Sequence, residues 1–143
     1  MAMPRIHLAL LALSLGLCAA CGSYTAPTNS QNPPPPMVQA NDVSIVVGAS
    51  GLTTTAFSPN PKVVSLGGSP SVTVRWVNKD ITGGNYTSGS ATVHNINSDN
   101  GAFTASGNLG GNATYSVALT TAGDYHYHCS IHPNMVGTIT VNP

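Results

Sequence analysis

Three residues near the C-terminus combine metal-binding side chains with close spacing. Cys129, His132 and Met135 form a Cys-x-x-His-x-x-Met motif. A predicted strand ends at Cys129 and the next begins near Val136, so all three belong to one tight loop. His94 ends an earlier predicted strand, with 34 residues between it and Cys129. Two imidazoles, a thiolate and a thioether form a soft nitrogen–sulfur donor set, which suits copper in both of its oxidation states. These four residues are therefore predicted to bind copper.

The three cysteines of the chain differ in their predicted roles. Cys18 lies within the N-terminal leader and Cys21 lies at its end, so Cys129 is the only cysteine in the predicted folded domain. An unpaired thiol in an oxidising compartment is a liability unless it has a use. Metal binding supplies one. The alternative is a Cys21–Cys129 disulfide, which would join a tether to a core strand.

Residues 1–21 have the features of a signal peptide. Arg5 supplies the positive start, and the apolar run Leu8–Leu17 of about ten residues is too short to span a bilayer. Cleavage by a general signal peptidase after Ala20 would release the chain. The segment also resembles a bacterial lipoprotein box, which implies a lipid on Cys21. We expect a periplasmic or other extracytoplasmic protein, held at a membrane by that lipid.

A change of composition separates a tether from a folded domain. Residues 22–40 show no periodic apolar pattern, and Pro33–Pro36 favour an extended polyproline conformation. Residues 41–143 then provide enough chain for one hydrophobic core. We predict a proline-rich tether over 22–40 and a single copper-binding domain over 41–143.

The domain is predicted to be all-β. Short apolar segments recur with Gly-rich turns between them, which is typical of a β-sandwich of seven to eight strands. The segments with this pattern are 43–47, 63–66, 72–76, 91–96, 115–119, 125–129 and 137–141. Val43, Ile45 and Val47 are expected to share one face. No amphipathic helix of about 12 residues is visible, and the path of the Gly/Asn-rich region 98–112 is not predicted.

Charge and composition exclude several classes of protein. Four Lys or Arg side chains balance four Asp, Glu is absent, and charged residues make up 6% of the chain, against about 25% in ordinary domains. There is no basic surface for nucleic acid. Strong helix formers are scarce while Val and Thr are common, which disfavours an all-α protein or a helix-rich α/β enzyme.

Two separated parts of the domain resemble the cupredoxin family of type 1 blue-copper proteins, and its amicyanin- and plastocyanin-like members in particular. The stretch 115–141 looks like the C-terminal end of these proteins, and 72–80 looks like the strand before their first ligand loop. His94-Asn95 is similar to their His-Asn pair. The resemblance implies a Greek-key sandwich, one type 1 copper ion, and an Asn95 that ties the two ligand loops together. The ligands that it implies are His94, Cys129, His132 and Met135.

A closed His₂-Cys-Met site leaves no position for a substrate, so we expect an electron carrier rather than an enzyme. The alternative is a membrane-tethered copper carrier or chaperone that delivers copper to an enzyme. Redox partner proteins are implied, and a monomer is expected. Since charge is scarce, docking is predicted to use an apolar rim around His132, formed by Pro133, Met135 and Val136.

His126 and His128 alternate along the predicted strand that leads to Cys129. Their side chains should point away from Cys129, because neighbouring residues of a strand face opposite sides of a sheet. We therefore expect them to face solvent. A second, weaker metal site at this pair is the alternative.

Overall fold

The computed structural model describes residues 36–82 and 90–143. The predicted signal peptide, Cys21 and most of the predicted tether lie outside these residues. Ten strands and one short 3-10 turn, Ala49–Gly51, are found within them. The strands are β1 Asp42–Ile45, β2 Phe57–Ser58, β3 Lys62–Ser65, β4 Val72–Asn78, β5 Ile81–Thr82, β6 Ser90–Ala91, β7 Asn97–Ser98, β8 Thr114–Leu119, β9 Gly123–His128 and β10 Val136–Asn142. In the described residues no helix has the length and apolar character needed to cross a membrane.

Two four-stranded sheets form the sandwich. One has the strand order β2-β1-β4-β8 and the other has the order β3-β10-β9-β7, while β5 and β6 form a two-stranded ribbon. The β1–β4 and β3–β10 pairs are parallel, and the other strand pairs are antiparallel. The all-β prediction is confirmed. The strand count exceeds the predicted seven to eight because β2, β5, β6 and β7 have two residues each, too few to show an alternating pattern.

The inner faces of both sheets meet in one hydrophobic core. Trp76 of β4 and Tyr127 of β9 are fully buried, and their rings meet nearly edge to face at 5.2 Å between centroids. Phe57 also packs on Tyr127, with 4.8 Å between ring centroids. Gly137 of β10 lies opposite Tyr127, and a Cβ there would collide with the tyrosine ring. Packing of the Tyr127 ring therefore requires glycine at position 137.

The predicted face of β1 is wrong at one position. Val43 and Ile45 are buried, but Val47 is 60% exposed. The strand ends at Ile45, and Gly48 then adopts a left-handed conformation with φ of 74° before the 3-10 turn. The alternation of inward and outward residues therefore stops two residues before Val47.

Two of the few charged side chains, Arg75 and Lys62, bind the first described residues to the sheets. Arg75 donates to both carboxylate oxygens of Asp42, at 2.8 and 2.6 Å, and to the carbonyl of Met37. Lys62 donates to the carbonyl of Ala40 at 2.6 Å. The hydrogen bonds from Arg75 hold the pKa of Asp42 below its ordinary value. The backbone is thus bound to the sheets from Met37 onward, which includes the last residues of the predicted tether.

Candidate metal centre

The loop between β9 and β10 is closed by its own backbone. The amide of Cys129 donates to the carbonyl of Met135 at 3.1 Å, which extends the β9–β10 ladder by one pair. The amide of Met135 donates to the carbonyl of His132 at 2.9 Å. This tight turn places the three sequence-predicted loop residues at one end of the sandwich.

His94 is fixed by a separate segment. It forms an isolated bridge with Leu109, in which the two residues exchange backbone hydrogen bonds of 3.2 and 2.7 Å. The side-chain amide of Asn78 donates to the carbonyls of Thr92 and Leu109 at 2.8 and 2.9 Å. Asn78 ends β4, so these contacts attach the His94 segment to the first sheet.

The three strong donor atoms lie around one point. Sγ of Cys129 lies 3.8 Å from Nδ1 of His94 and 3.9 Å from Nδ1 of His132, and the two Nδ1 atoms are 3.2 Å apart. Bonds from a transition metal to imidazole nitrogen or thiolate sulfur are about 2.0–2.3 Å long, so one ion fits between atoms at this spacing. Among the residues that the structure describes, this is the one group of three or more His, Cys, Asp or Glu side chains that converges in this way.

Burial distinguishes His132 from the other three predicted ligands. Cys129, His94 and Met135 are fully buried, whereas His132 is half-buried and reaches the surface as expected. The expectation that Met135 contributes to an apolar rim is wrong, because its side chain points into the core. The other two predicted members of the rim, Pro133 and Val136, are exposed as expected. Ile131 is a further exposed apolar side chain on the loop, and Ile131 and Val136 are 44% and 38% exposed.

The two ligand segments are joined by Asn95, as the sequence predicts. Its side-chain oxygen accepts from the amide of Ser130 at 2.7 Å, and its side-chain nitrogen lies 2.8 Å from the Ser130 hydroxyl oxygen. Asn97 donates to the same Asn95 oxygen at 2.9 Å. The backbone amide of Asn95 points at Sγ of Cys129 at 3.4 Å, where it stabilises negative charge on the sulfur.

Asp80 contacts the predicted ligand His94, and the sequence pattern does not predict this contact. Its Oδ2 lies 2.9 Å from Nε2 of His94, and its Oδ1 accepts from the amide of Gly48 at 2.7 Å. Burial would raise the pKa of Asp80, but the hydrogen bonds from His94 and Gly48 outweigh it and the pKa is lowered. An ionised carboxylate only accepts hydrogen bonds, so Nε2 of His94 carries the proton and the Nδ1 lone pair faces Cys129. The sequence does offer one indication of Asp80: it follows the end of an apolar strand by two residues, and it is one of four Asp in a chain without Glu.

His126 and His128 take no part in this centre. His126 is exposed and His128 is half-buried, while Tyr127 between them is fully buried. Their side chains therefore face away from Cys129, as expected. Both histidines belong to the outer surface of the sheet.

The donor chemistry fits copper. A thiolate, two imidazoles and a buried thioether neighbour form the set that accommodates Cu(I) and Cu(II) together. The Nδ1 atoms of His94 and His132 face the sulfur, while Asp80 holds the other nitrogen of His94. A carboxylate behind a ligating histidine is the usual way in which a protein fixes its tautomer.

Solved structures of copper proteins share this fold. A purple cupredoxin from Nitrosopumilus maritimus is 27% identical, with coverage of 71% of this chain and 98% of that chain and a TM-score of 0.56. A proline-to-glycine variant of amicyanin in its reduced Cu(I) form at pH 4 is 22% identical, with coverage of 73% and 86% and a TM-score of 0.51. The reduced form of a tryptophan-to-tyrosine variant of amicyanin is 21% identical, with the same coverage and a TM-score of 0.50.

Sequence comparison identifies the family. A search of curated proteins gives no match. The family model of copper-binding proteins of the plastocyanin/azurin family matches residues 46–142. This range contains every residue of the centre described above and two thirds of the whole chain. The chain belongs to the plastocyanin/azurin family of copper-binding proteins.

Proposed function

We propose that this chain is an extracytoplasmic blue-copper protein that transfers electrons by cycling one copper ion between Cu(II) and Cu(I). His94, Cys129, His132 and Met135 are the proposed ligands. The observation that carries the proposal is the enclosure of the centre: three of these side chains are fully buried and the fourth reaches the surface.

The surroundings of the donors favour electron transfer over catalysis. When bound, copper supplies a one-electron couple whose speed depends on how little its ligands move. The Cys129–Met135 backbone pair, the His94–Leu109 bridge and the Asn95–Ser130 contacts hold the segments before any metal arrives. Because the ligand segments are already fixed, we expect them to move little when the bound copper changes oxidation state. Enclosure also leaves no open position for a substrate, so we propose a carrier and not an enzyme.

His132 is the proposed route for electrons between the centre and a redox partner protein. It is the ligand with an accessible imidazole edge, and exposed apolar side chains at Ile131 and Val136 lie on the same loop and at its end. An apolar surface around an exposed ligand suits brief, weak docking. We propose that the partner contacts this surface.

The proposed location rests on the sequence of the N-terminal region. A signal peptide over 1–21, a lipid on Cys21 and a proline-rich segment before the domain would place the copper centre outside the cytoplasm and near a membrane. Dual acylation makes such an anchor stable, because each buried CH₂ contributes about 0.8 kcal/mol. Mass spectrometry of the mature N-terminus tests the lipid, and a Cys21→Ala variant should lose membrane association.

The function is tested by the absorption and electron paramagnetic resonance of the copper(II)-loaded chain, followed by reduction and reoxidation. We expect an intense visible band from thiolate-to-copper charge transfer, lost in Cys129→Ser, and full recovery of the band over repeated cycles. Chelator competition separates the two candidate roles. An electron carrier retains its copper against a chelator, whereas rapid and complete removal would indicate a copper-delivery protein. A band that persists in Cys129→Ser would contradict the ligand assignment.

A further inference from the structure

The outer face of β9 carries two histidines two residues apart. His126 and His128 are separated by the fully buried Tyr127, so they project from the same side of the sheet. In the strand register, His126 lies opposite Thr138 of β10 and His128 lies opposite Asn97 of β7. The pair is therefore flanked on both sides by strands and is not at a free edge.

One ring nitrogen of each histidine already has a hydrogen-bond partner. Nδ1 of His128 lies 2.5 Å from Oδ1 of Asp99, and Nδ1 of His126 lies 3.0 Å from the hydroxyl oxygen of Thr138. An ionised carboxylate only accepts, so Nδ1 of neutral His128 carries the proton and Nε2 keeps its lone pair. The Thr138 hydroxyl oxygen can likewise accept a hydrogen bond from Nδ1–H of His126. Metal-binding histidines almost always have such a partner on the second nitrogen.

We propose that the Nε2 atoms of His126 and His128 bind a divalent transition-metal ion, Zn²⁺ or Cu²⁺, at the surface of the protein. Asp99 and Thr138 are positioning residues that hold the two rings, and water completes the coordination. Imidazole suits both ions, and a site without thiolate has no preference for Cu(I). This site is separate from the buried centre and does not depend on the proposed electron-transfer function.

The surroundings leave room for an ion with its water ligands. An open cleft of about 300 Å³ beside β9 is lined by His126, Asp99 and Thr138, while His128 lies outside its lining and contacts Asp99. The Asp99 and His128 side chains are 46% and 34% exposed. An ion can therefore reach this surface without any movement of the fold.

The distribution of charge across the protein supports the same place. Asp42 and Asp80 are buried and have partners, so the exposed side-chain carboxylates of the described residues are Asp99 and Asp124. Both lie on the outer face beside His126, but Asp124 instead accepts from the hydroxyl of Thr140 at 2.7 Å. The pair Asp99 and Asp124 thus provides a matched control, since the two carboxylates carry the same charge and only Asp99 contacts a histidine of the site.

The test is a titration of the full chain, loaded with copper at the buried centre, with Zn²⁺ in an isothermal calorimeter. Zinc is spectroscopically silent, so the visible band reports at the same time whether the buried centre stays intact. We expect one equivalent of zinc to bind with no change in the band. His126→Ala should weaken binding by at least about tenfold, and Asp99→Asn by about 10–100-fold, as for other residues that orient a ligand. Asp124→Asn should change the affinity by less than about threefold, because it removes an equal surface charge without touching either histidine ring.

Three results would overturn the proposal: no zinc binding to the loaded parent, the same affinity in His126→Ala as in the parent, or equal losses in the two Asp variants. The last would indicate general attraction to negative charge. Shifts of the His126 and His128 ring resonances on zinc addition provide a second measurement, and their absence would also contradict the site. The visible band shows whether the buried centre is intact, and the reduction and reoxidation cycles test electron transfer, so these failures are distinguishable from a failure of the electron-transfer proposal.

Discussion

Oδ2 of Asp80 lies 2.9 Å from Nε2 of His94, and both side chains are buried. The contact fixes which nitrogen of His94 faces the sulfur of Cys129, and it places a negative charge one imidazole away from the centre. A negative charge at this position stabilises Cu(II) more than Cu(I). Asp80 is therefore expected to lower the reduction potential of the bound copper.

Replacing Asp80 by Asn tests this effect with little change in shape. We expect the Asp80→Asn variant to have a higher reduction potential and a Cu(II) affinity lower by about 10–100-fold, the range found when a partner behind a metal ligand is lost. Spectroelectrochemistry and chelator competition measure the two quantities. Asp124→Asn removes an exposed carboxylate and serves as the control. A potential that shifts equally in both variants would mean that Asp80 acts only through overall charge.

Met135 is expected to have two separable roles. In the metal-free protein, Met135→Ala removes a fully buried side chain and should lower the free energy of unfolding by about 2–5 kcal/mol. In the copper-loaded protein the variant should remain coloured but change its potential, because an axial thioether bond is weak. Urea denaturation and voltammetry test these effects separately, and Met135→Leu should restore most of the stability. A colourless Met135→Leu protein would show that the thioether is indispensable.

Asn95→Ala should loosen the connection between the two ligand segments. The change removes the side-chain hydrogen bonds to Ser130 and the bond from Asn97, while the backbone contact to Cys129 stays possible. We expect a loss of about 1–3 kcal/mol in stability and faster release of copper to a chelator. Asn97→Ala, which removes one of these contacts, is the matched control. If both variants release copper at the parent rate, Asn95 does not tie the segments.

The Asp42–Arg75 pair predicts a specific dependence of stability on pH. Arg75 lowers the pKa of Asp42 in the folded protein. The stabilisation is therefore fully present above the unfolded pKa of about 3.9, and it is lost as the pH falls through the lower folded value. In urea denaturation of the metal-free chain, the parent should lose more stability than Asp42→Asn between pH 5 and pH 3. Parallel curves for the two proteins would show that the pair contributes nothing.

Scarce charge predicts weak salt dependence of partner association. In the described residues Asp42 and Arg75 neutralise each other and Asp80 is buried, which leaves few exposed charges of either sign. The second-order rate with a partner protein should change by less than about threefold between 10 and 300 mM salt, well below the effects of strong steering. Stopped-flow mixing measures this rate. A steep fall would point to a local cluster, such as the surroundings of Lys79, as the recognition surface.

The sequence predicts the metal-binding residues better than it predicts the residues that hold them in position. The Cys-x-x-His-x-x-Met spacing and an earlier His-Asn pair are local patterns with a chemical meaning, and the structure brings these residues together. Asp80 escapes prediction because its role depends on a contact with His94, 14 residues away, across a segment with no pattern. The prediction that Val47 shares the buried face of Val43 and Ile45 fails for a related reason. The end of β1 is set by the turn at Gly48 and not by hydrophobic alternation.

The backbone pair between Cys129 and Met135 has a consequence for how this centre can change over evolution. Because the β9–β10 ladder is complete up to that pair, residues 130–134 form a closed turn that the sheets do not need. Insertions or replacements there alter the position of His132 while the core keeps its register. Changes in residues 130–134 can therefore alter the surroundings of His132 and the exposed apolar surface beside it without requiring a new fold.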